Sequence, residues 1–577
     1  MINIKEDEKL NVLNHSCAHV LANAVKNLYP HALFWVGPVI DDGFYYDIDL
    51  GDTVIIESDL EQIEKEMKKI SKDGKRIYRE ELTREEALTK FKDDPYKIDL
   101  INNMQENTVI SCYTQGDFTD LCIGPHVDTV KEIKYFKLLK VSGAYFKGDS
   151  KNKMLQRIYG ICFDTEDKLN EYLNMLEEAK KRDHKKLGKE LELFMMSEYG
   201  PGFPFWLPKG MIIRNLLEDF WYEEHTKEGY QFIKTPTMLE KGLWELSGHW
   251  DNYKENMYTS NIDEKVFAIK PMNCPGGMLV YKNGLHSYRD LPMRIGELGL
   301  VHRHEASGAL NGLLRVRCFT QDDAHIFMRK EQIEEEIIRL IKFIDRIYSI
   351  FGLSYKIELS TRPEEKYIGD IEVWNIAEAS LESAVKRAGK DFKLNPGDGA
   401  FYGPKLDFHI NDSLGRSWQC GTIQLDMNLP ERFDLYYIDE KGEKQRPIML
   451  HRVIYGALER FIGILIEHYA GAFPTWLSPV QINIIPVNNE YHLDYSNTLY
   501  EMLKDNGFRV ELDSRNEKLG YKMRESQTKK IPYTLIIGDN ELNSITLSYR
   551  KYQNNETINT NINDFILELK EEIINRR

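Results

Sequence analysis

The chain has 577 residues, a formal net charge of -16, an apolar share of 42% and aromatics at 11%. That length calls for three or four domains rather than one, and the composition excludes disorder on the scale of a domain. The acidic balance argues against a protein that coats nucleic acid indiscriminately, but a folded RNA held on local basic surfaces stays open, because phosphate contacts depend on local charge.

Such surfaces are sketched by KKRDHKK at Lys180–Lys186 and by Lys522, Arg524, Lys529 and Lys530. Taken alone, each run reads more simply as a solvated helix face. The opening MINIKEDEKL has neither an apolar h-region nor an Arg-rich amphipathic pattern, so no secretory or transit signal is expected. No apolar run approaches the roughly 20 residues that cross a bilayer. Seven scattered cysteines, an odd number, fit a reducing cytoplasm better than a disulfide framework.

Residues 1–164 open with a helical pattern around His15–Leu28, then show strand-like pieces such as Gly43–Ile48 and a charged helix near Asp59–Lys69. HSCAH sets His15 and His19 on one helix face, and CIGPH repeats the four-residue spacing with Cys122 and His126. By ligand type the four look like a complete zinc site; a lone HxxxH reads as readily as two structural histidines. Residues 165–193 predict one connecting helix with Asp164 as N-cap and an apolar stripe at Leu169, Leu173 and Leu176.

Residues 194–478 read as a large α/β region with Gly/Pro/aromatic clusters at GPGFPFW, MNCPGG, FYGPK and AGAFPTW. Strand-like pieces (Arg294–Gly299, Leu314–Thr320, Lys405–Ile410) alternate with helices. Residues 294–327, RIGELGLVHRHEASGALNGLLRVRCFTQDDAHIF, predict a long hairpin carrying Arg303, Glu305, Arg315 and Arg317 near Gln321 and Asp323. Arginine forks suit phosphate, although charge alone would equally describe a salt-bridged surface hairpin. Residues 479–577 alternate strand and helix (VQINIIPV, His492–Asn506, TLIIGD, SITLSYR, a helix from Ile562), as in a small three-layer α/β domain.

The 294–327 stretch resembles motif 2 of the class II aminoacyl-tRNA synthetases, in the wording of the threonyl type. GYQFIKTP, ending at Pro236, is similar to motif 1, the dimer-forming helix and strand, and HRVIYGALERFIGIL at 451–465 is similar to motif 3. Three ordered motifs over such a span are far more specific than one short pattern. The resemblance implies an antiparallel-sheet catalytic core within a multidomain α/β (α+β) protein, working as a homodimer on ATP, L-threonine and tRNA(Thr). It also implies that Arg303 grips the α-phosphate and the threonine carboxylate, with Arg315 as a further catalytic arginine. Glu305 would bond the adenine amino group, Phe319 would stack on adenine, and Arg460 would hold the γ-phosphate with Mg²⁺.

The same resemblance joins Cys274, His325 and His451 as ligands of a catalytic zinc, a grouping that spacing does not suggest; unaided, a buried thiol and two unrelated histidines is the simpler reading. Asp323 would then accept the threonine hydroxyl, with Gln321, Tyr402 and Gln419 completing the pocket. Serine keeps that hydroxyl and differs by one methyl, worth about 1–3 kcal/mol, so a second sieve is expected. Residues 1–164, with GPVIDDGFYYDID, resemble the editing domain shared by threonyl- and alanyl-tRNA synthetases. There His15, His19, Cys122 and His126, helped by Asp120, Lys97 and Tyr46, would position water and a seryl-tRNA ester. Metal at that site stays open.

Residues 479–577, with RNEKLGYK and the GDNE turn, resemble the anticodon-binding domain of the same subclass, which implies base-reading roles for Asn516, Glu541 and Arg550. One departure is that HSCAH begins at residue 15, leaving no room for the small ubiquitin-like domain that many members carry. A non-catalytic RNA regulator on this fold would have lost motif arginines or zinc ligands. A zinc hydrolase acting through the N-terminal site alone would leave the ATP motifs unused, and prolyl- or seryl-type ligases lack a reason for the Cys274/His325/His451 set.

Overall fold

The computed structural model describes residues 3–576 apart from 107, 150 and 545. The chain divides into two compact units, Met1–Glu177 and Glu178–Arg577.

In the first unit the helix Glu8–Leu28 starts at Asp7, whose carboxylate accepts the Leu10 N–H, and is buried almost all round from Leu13 to Val25. Burial of its polar face is made possible by local bonding. Asn14, for example, donates to the Leu10 and Cys162 carbonyls and accepts from the Cys162 N–H. The helix packs beside Leu60–Asp73 and against an antiparallel sheet built on Gly43–Asp49, Met154–Phe163 and Tyr135–Tyr145. A smaller sheet, Ile77–Leu82, Ile110–Gln115 and Phe118–Leu121, brings in the CIGPH loop.

The predicted single connecting helix is two helices, Glu166–Arg182 and His184–Glu190. Asp183 breaks the run because its side chain caps the second helix, accepting from Lys185 and Lys186 N–H. The first helix is entered one residue later than expected. The Thr165 hydroxyl accepts the Lys168 N–H, while Asp164 pairs instead with Lys9 and Lys168. Nor is the basic run a uniform solvated face, because His184 is buried at 1% exposure. Its Nδ1 donates to Glu467 at 2.7 Å and its Nε2 accepts the Leu313 N–H at 3.0 Å.

The second unit is organised on an eight-stranded sheet in the order Gln231–Phe232, Met293–His302, Cys318–Met328, Ile448–Val453, Ser417–Asp426, Lys405–Asn411, Ser354–Ser360, Phe392–Asn395. The six middle strands are antiparallel; only the two edge pairs are parallel. The predicted hairpin forms and pairs from Met293↔Phe327 to His302↔Cys318, with both strands largely buried on both faces. Its second strand begins at Cys318, not Leu314, so residues 303–317 form a loop carrying arginines. The helix Ile333–Ile350 covers the sheet with Ile337, Leu340, Ile341, Ile344 and Ile347, which recur at helical spacing and are fully buried.

The C-terminal sheet runs Val510–Leu512, Ile482–Pro486, Tyr533–Ile537, Thr546–Lys551, Ile558–Asn561, the first three parallel. The helices Asn489–Asp505, Leu519–Thr528 and Ile562–Ile574 flank it. Among the described residues no helix is long and apolar enough to cross a membrane.

Candidate functional site

A cavity of about 460 Å³ opens over the middle of the eight-stranded sheet. Its inner end is made by three elements distant in sequence. His325 and His451 are direct register partners on adjacent antiparallel strands, and Cys274 begins the helix Cys274–Lys282. That helix comes close because of the glycines in MNCPGG: a Cβ on Gly277 would stand 3.2 Å from His325 Nδ1, and one on Gly276 2.9 Å from Thr235. One ligand atom from each of the three residues lies within 4.8 Å of the other two.

The surroundings prepare these side chains as ligands. His451 Nε2 donates to Asp426 at 2.8 Å, which leaves its Nδ1 lone pair free. His325 Nε2 is buried without a hydrogen-bond partner, and burial lowers this imidazole to about 3, so it stays neutral. Cys274 is the exception, since burial pushes its thiol up and a bound cation would have to displace the proton. A fully buried His249 lies beside the three, its Nε2 3.6 Å from Cys274 Sγ. Nothing in SGHW singles that histidine out.

Asp323 and Gln321 project from the strand beside His325 into the same cavity. Asp323 accepts from Asn273 Nδ2 at 3.2 Å, and its carboxyl is raised by burial. Gln321 Oε1 is a buried acceptor with no donor. Tyr402 stacks near His451, ring centroids 4.7 Å apart, and donates to Gln424 at 2.5 Å. The intervening Asp322 serves the fold. Its carboxylate accepts the N–H groups of Ile454, Tyr455 and Gly456 at 2.9–3.0 Å, pinning the turn between His451 and Arg460.

The outer half of the cavity is cationic, with Arg303, Arg315 and Arg460 on its wall beside Glu305, Phe319 and Gln419. Arg303 is anchored by Nε to the Pro271 carbonyl at 3.1 Å, its guanidinium carbon 5.1 Å from the Phe319 ring centroid. Arg315 meets Glu305 Oε2 through Nε and Nη2 at 3.0 and 2.9 Å. Arg460 donates to the carbonyls of Leu314 and Gln419 at 3.0 and 3.1 Å. Each arginine is held while keeping other N–H groups for a ligand, the arrangement an anionic phosphate chain requires. Arg317 does not reach the cavity; it is spent on the Glu305 and Pro201 carbonyls.

The first unit has its own cleft, about 570 Å³, lined by His15, His19, Tyr46, Asp120, Cys122 and His126. Cys122 Sγ lies 3.1 Å from His15 Nε2 and 3.2 Å from His126 Nε2, and these three form a second cluster of metal-ligand type. His19 stands apart from it; its buried Nε2 has no partner. Burial lowers His19 to about 4 and His126 to about 2, and raises the Cys122 thiol to about 11. Lys97 is not on the cleft wall but behind it, 2.6 Å from Asp120, which also accepts the Tyr46 hydroxyl.

In the C-terminal sheet Asn516 is exposed in the loop after Val510–Leu512. Glu541 is 6% exposed and bonded to Gly538 N–H and the Ser548 hydroxyl. Arg550 pairs in register with Thr534 and donates to Thr557. Lys522 is buried against the Asp513 carbonyl, so it belongs to no basic surface.

Comparison with known proteins agrees with both clefts. Residues 258–469 match the tRNA synthetase class II core domain (G, H, P, S and T), residues 481–572 an anticodon binding domain, and residues 110–159 the threonyl and alanyl tRNA synthetase second additional domain. The threonine–tRNA ligase of Clostridium tetani is 56% identical over all of this chain and 92% of its own. That of Clostridium botulinum (Loch Maree) is 59% identical over 97% of this chain and 88% of its own. Among solved structures, the RNA binding domain of threonyl-tRNA synthetase from Cryptosporidium parvum superposes with a TM-score of 0.64 at 41% identity, covering 68% of this chain and 98% of that one. The putative threonyl-tRNA synthetase ThrRS-1 from Aeropyrum pernix gives 0.61 at 30% identity over 68% and 97%. With such identity along nearly its whole length, the chain belongs to the threonine–tRNA ligase family.

Proposed function

We propose that this chain activates L-threonine with ATP, transfers it to the 3′ end of tRNA(Thr), and hydrolyses seryl-tRNA(Thr) in its N-terminal cleft. The observation that carries the reading is a buried Cys/His/His group, two of whose members (Cys274 and His451) line one cavity together with Asp323 and three anchored arginines.

The donor set fits zinc: three N/S ligands, one of them an orphaned buried imidazole, with a carboxylate behind His451. Cys274, His325 and His451 would hold the ion, which would supply a Lewis-acid anchor for the amino and hydroxyl groups of the amino acid. Asp323 accepts from the hydroxyl and Gln321 Oε1 from an N–H of the neutral amino group, while Tyr402 and Gln419 close the sides. Valine lacks the hydroxyl and would leave Asp323 unpaired, so it is rejected. Arg303 orients the carboxylate against the α-phosphorus, Glu305 and Phe319 hold adenine, and Arg315 and Arg460 hold the phosphates that enter with Mg²⁺. In-line attack by the carboxylate then needs position and charge rather than a protein nucleophile.

In the N-terminal cleft neutral His19, beside His15, Cys122 and His126, orients a water towards the seryl ester. The buried Lys97–Asp120–Tyr46 group keeps the wall rigid. Asn516, Glu541 and Arg550 are assigned to the anticodon, Glu541 by fixing its turn. We divide the chain functionally at 164, 193 and 478. A homodimer is supported by the exposed apolar side chains Tyr222 and Phe232 on the motif 1 helix and edge strand. Seven unpaired cysteines favour the cytoplasm as its compartment.

Amino-acid-dependent pyrophosphate exchange tests the reading. Exchange with threonine, and none with valine or proline, is expected; exchange with proline but not threonine would refute it.

A further inference from the structure

Behind the wall formed by His19 and Phe118, whose rings meet edge-on with centroids 5.1 Å apart, the N-terminal unit has another cavity of about 470 Å³. Three carboxamides line it, of which Asn27 is spent on Glu66 at 3.0 Å and Asn23 and Gln115 are the buried ones. Asn23 lies one helical turn beyond His19 on Glu8–Leu28 and is 8% exposed; Gln115 ends the strand Ile110–Gln115 and is 1% exposed. Both amide atoms of Gln115 are buried without a hydrogen-bond partner. A buried amide left so is costly, and such groups are completed by something that offers both a donor and an acceptor.

The charged lining narrows what that is. Lys72 and Lys75 are exposed on the wall, and Lys26 is half-buried with Nζ on the Ala32 carbonyl at 2.9 Å. Lys69 is neutralised by Glu66 at 2.9 Å. Asp73 and Asp117 add two carboxylates, which makes the lining poor for a bare polyanion but suitable for hydroxyl groups. Amides for a base edge, ammonium groups for a phosphate and carboxylates for a ribose together describe a nucleotide site.

We propose that this cavity takes one unpaired nucleotide of the tRNA whose mischarged end is hydrolysed on the other side of the His19–Phe118 wall. Asn23 and Gln115 read the base edge, and Lys72 and Lys75 hold the adjoining phosphate. The inference rests on the N-terminal cleft being the deacylation site. It adds a docking point that fixes the RNA strand one helical turn from His19.

The test uses the full chain and steady-state hydrolysis of seryl-tRNA, with two variants: Gln115→Met, and Lys72→Glu combined with Lys75→Glu. Each is expected to raise KM for deacylation about tenfold while kcat changes less than about twofold. Threonine-dependent pyrophosphate exchange, which reports the other unit, should be unchanged. The lysine pair is exposed and its replacement leaves the core intact, so it decides the matter if Gln115→Met fails to fold. Unchanged KM in the lysine variant overturns the site, as does tight binding of free AMP or CMP in the cavity with KM for the RNA unaltered. A wild-type chain that does not hydrolyse seryl-tRNA refutes the editing assignment instead. In that case equilibrium binding of uncharged tRNA to the same variants still tests the cavity, and equal affinity overturns it.

Discussion

His325 and His451 face each other as register partners on neighbouring strands, their ring centroids 5.1 Å apart and nearly perpendicular. Replacing Cys274 by Ser should abolish binding at the zinc site proposed for these rings. Metal analysis should then fall to a small fraction of one zinc per chain, with threonine-dependent exchange down by about a hundredfold or more. Retention of nearly all the zinc would move the tight site to His15, Cys122 and His126.

Asp322 offers a different kind of test, because it touches no substrate. Burial raises the Asp322 carboxyl to about 7, and Asp322→Asn leaves one acceptor oxygen where two served three backbone N–H groups, so a loss of about 1–3 kcal/mol in the unfolding of the second unit is expected. The freed turn carries Arg460, so KM for ATP should rise more than KM for threonine. Equal changes in both would argue that the turn is held by other means.

How much of this was readable beforehand varies from element to element. The existence of the hairpin 294–327 and its first strand were legible as a strand, a Gly/Ser-rich turn and a second strand; the start of the second strand and the register were not, because both strands are buried on both faces. The loop 303–317 was not, since its geometry comes from long-range bonds such as Arg317 to Pro201. Cys274, His325 and His451 were joined by resemblance alone; adjacency across a sheet leaves no mark in spacing. His249, Asn273 and Asp426 were missed for the same reason, each being one polar residue in an unremarkable context. His184 and Lys522 misled in the opposite direction. Both sit in basic runs, yet specific partners (Glu467 and Leu313, and the Asp513 carbonyl) bury them.

The N-terminal cleft makes a prediction about acid. Burial lowers His19 to about 4, so its imidazole is already neutral across the ordinary range. Deacylation should therefore be flat between pH 6 and 8 and fall only as pH drops towards about 4, where the base is protonated. A profile with its limb near 6.5 would mean that His19 titrates as a solvated histidine and is not the group responsible.

Lys97 supplies a prediction about stability. It is 2% exposed and its ammonium reaches Asp120 and the Trp35 carbonyl. Lys97→Met would strand a buried carboxylate, costing the first unit about 3–5 kcal/mol, and the double change with Asp120→Asn should recover much of that loss. Denaturant melts followed in the isolated variants, with no recovery in the double change, would show that the two side chains act independently.

The bonds of His184 have a practical consequence for dissecting the chain. This residue ties the helix His184–Glu190 to Leu313 in the arginine-bearing loop and to Glu467 in the helix Leu458–His468. A shortened protein meant to keep only the ATP-dependent half must therefore begin no later than Asp183, which also caps that helix. Starting instead at Phe194, where the sequence texture changes, would discard an internal strut along with the apparent connector. Proteolytic nicking is accordingly expected to be tolerated before Asp183 and damaging after it.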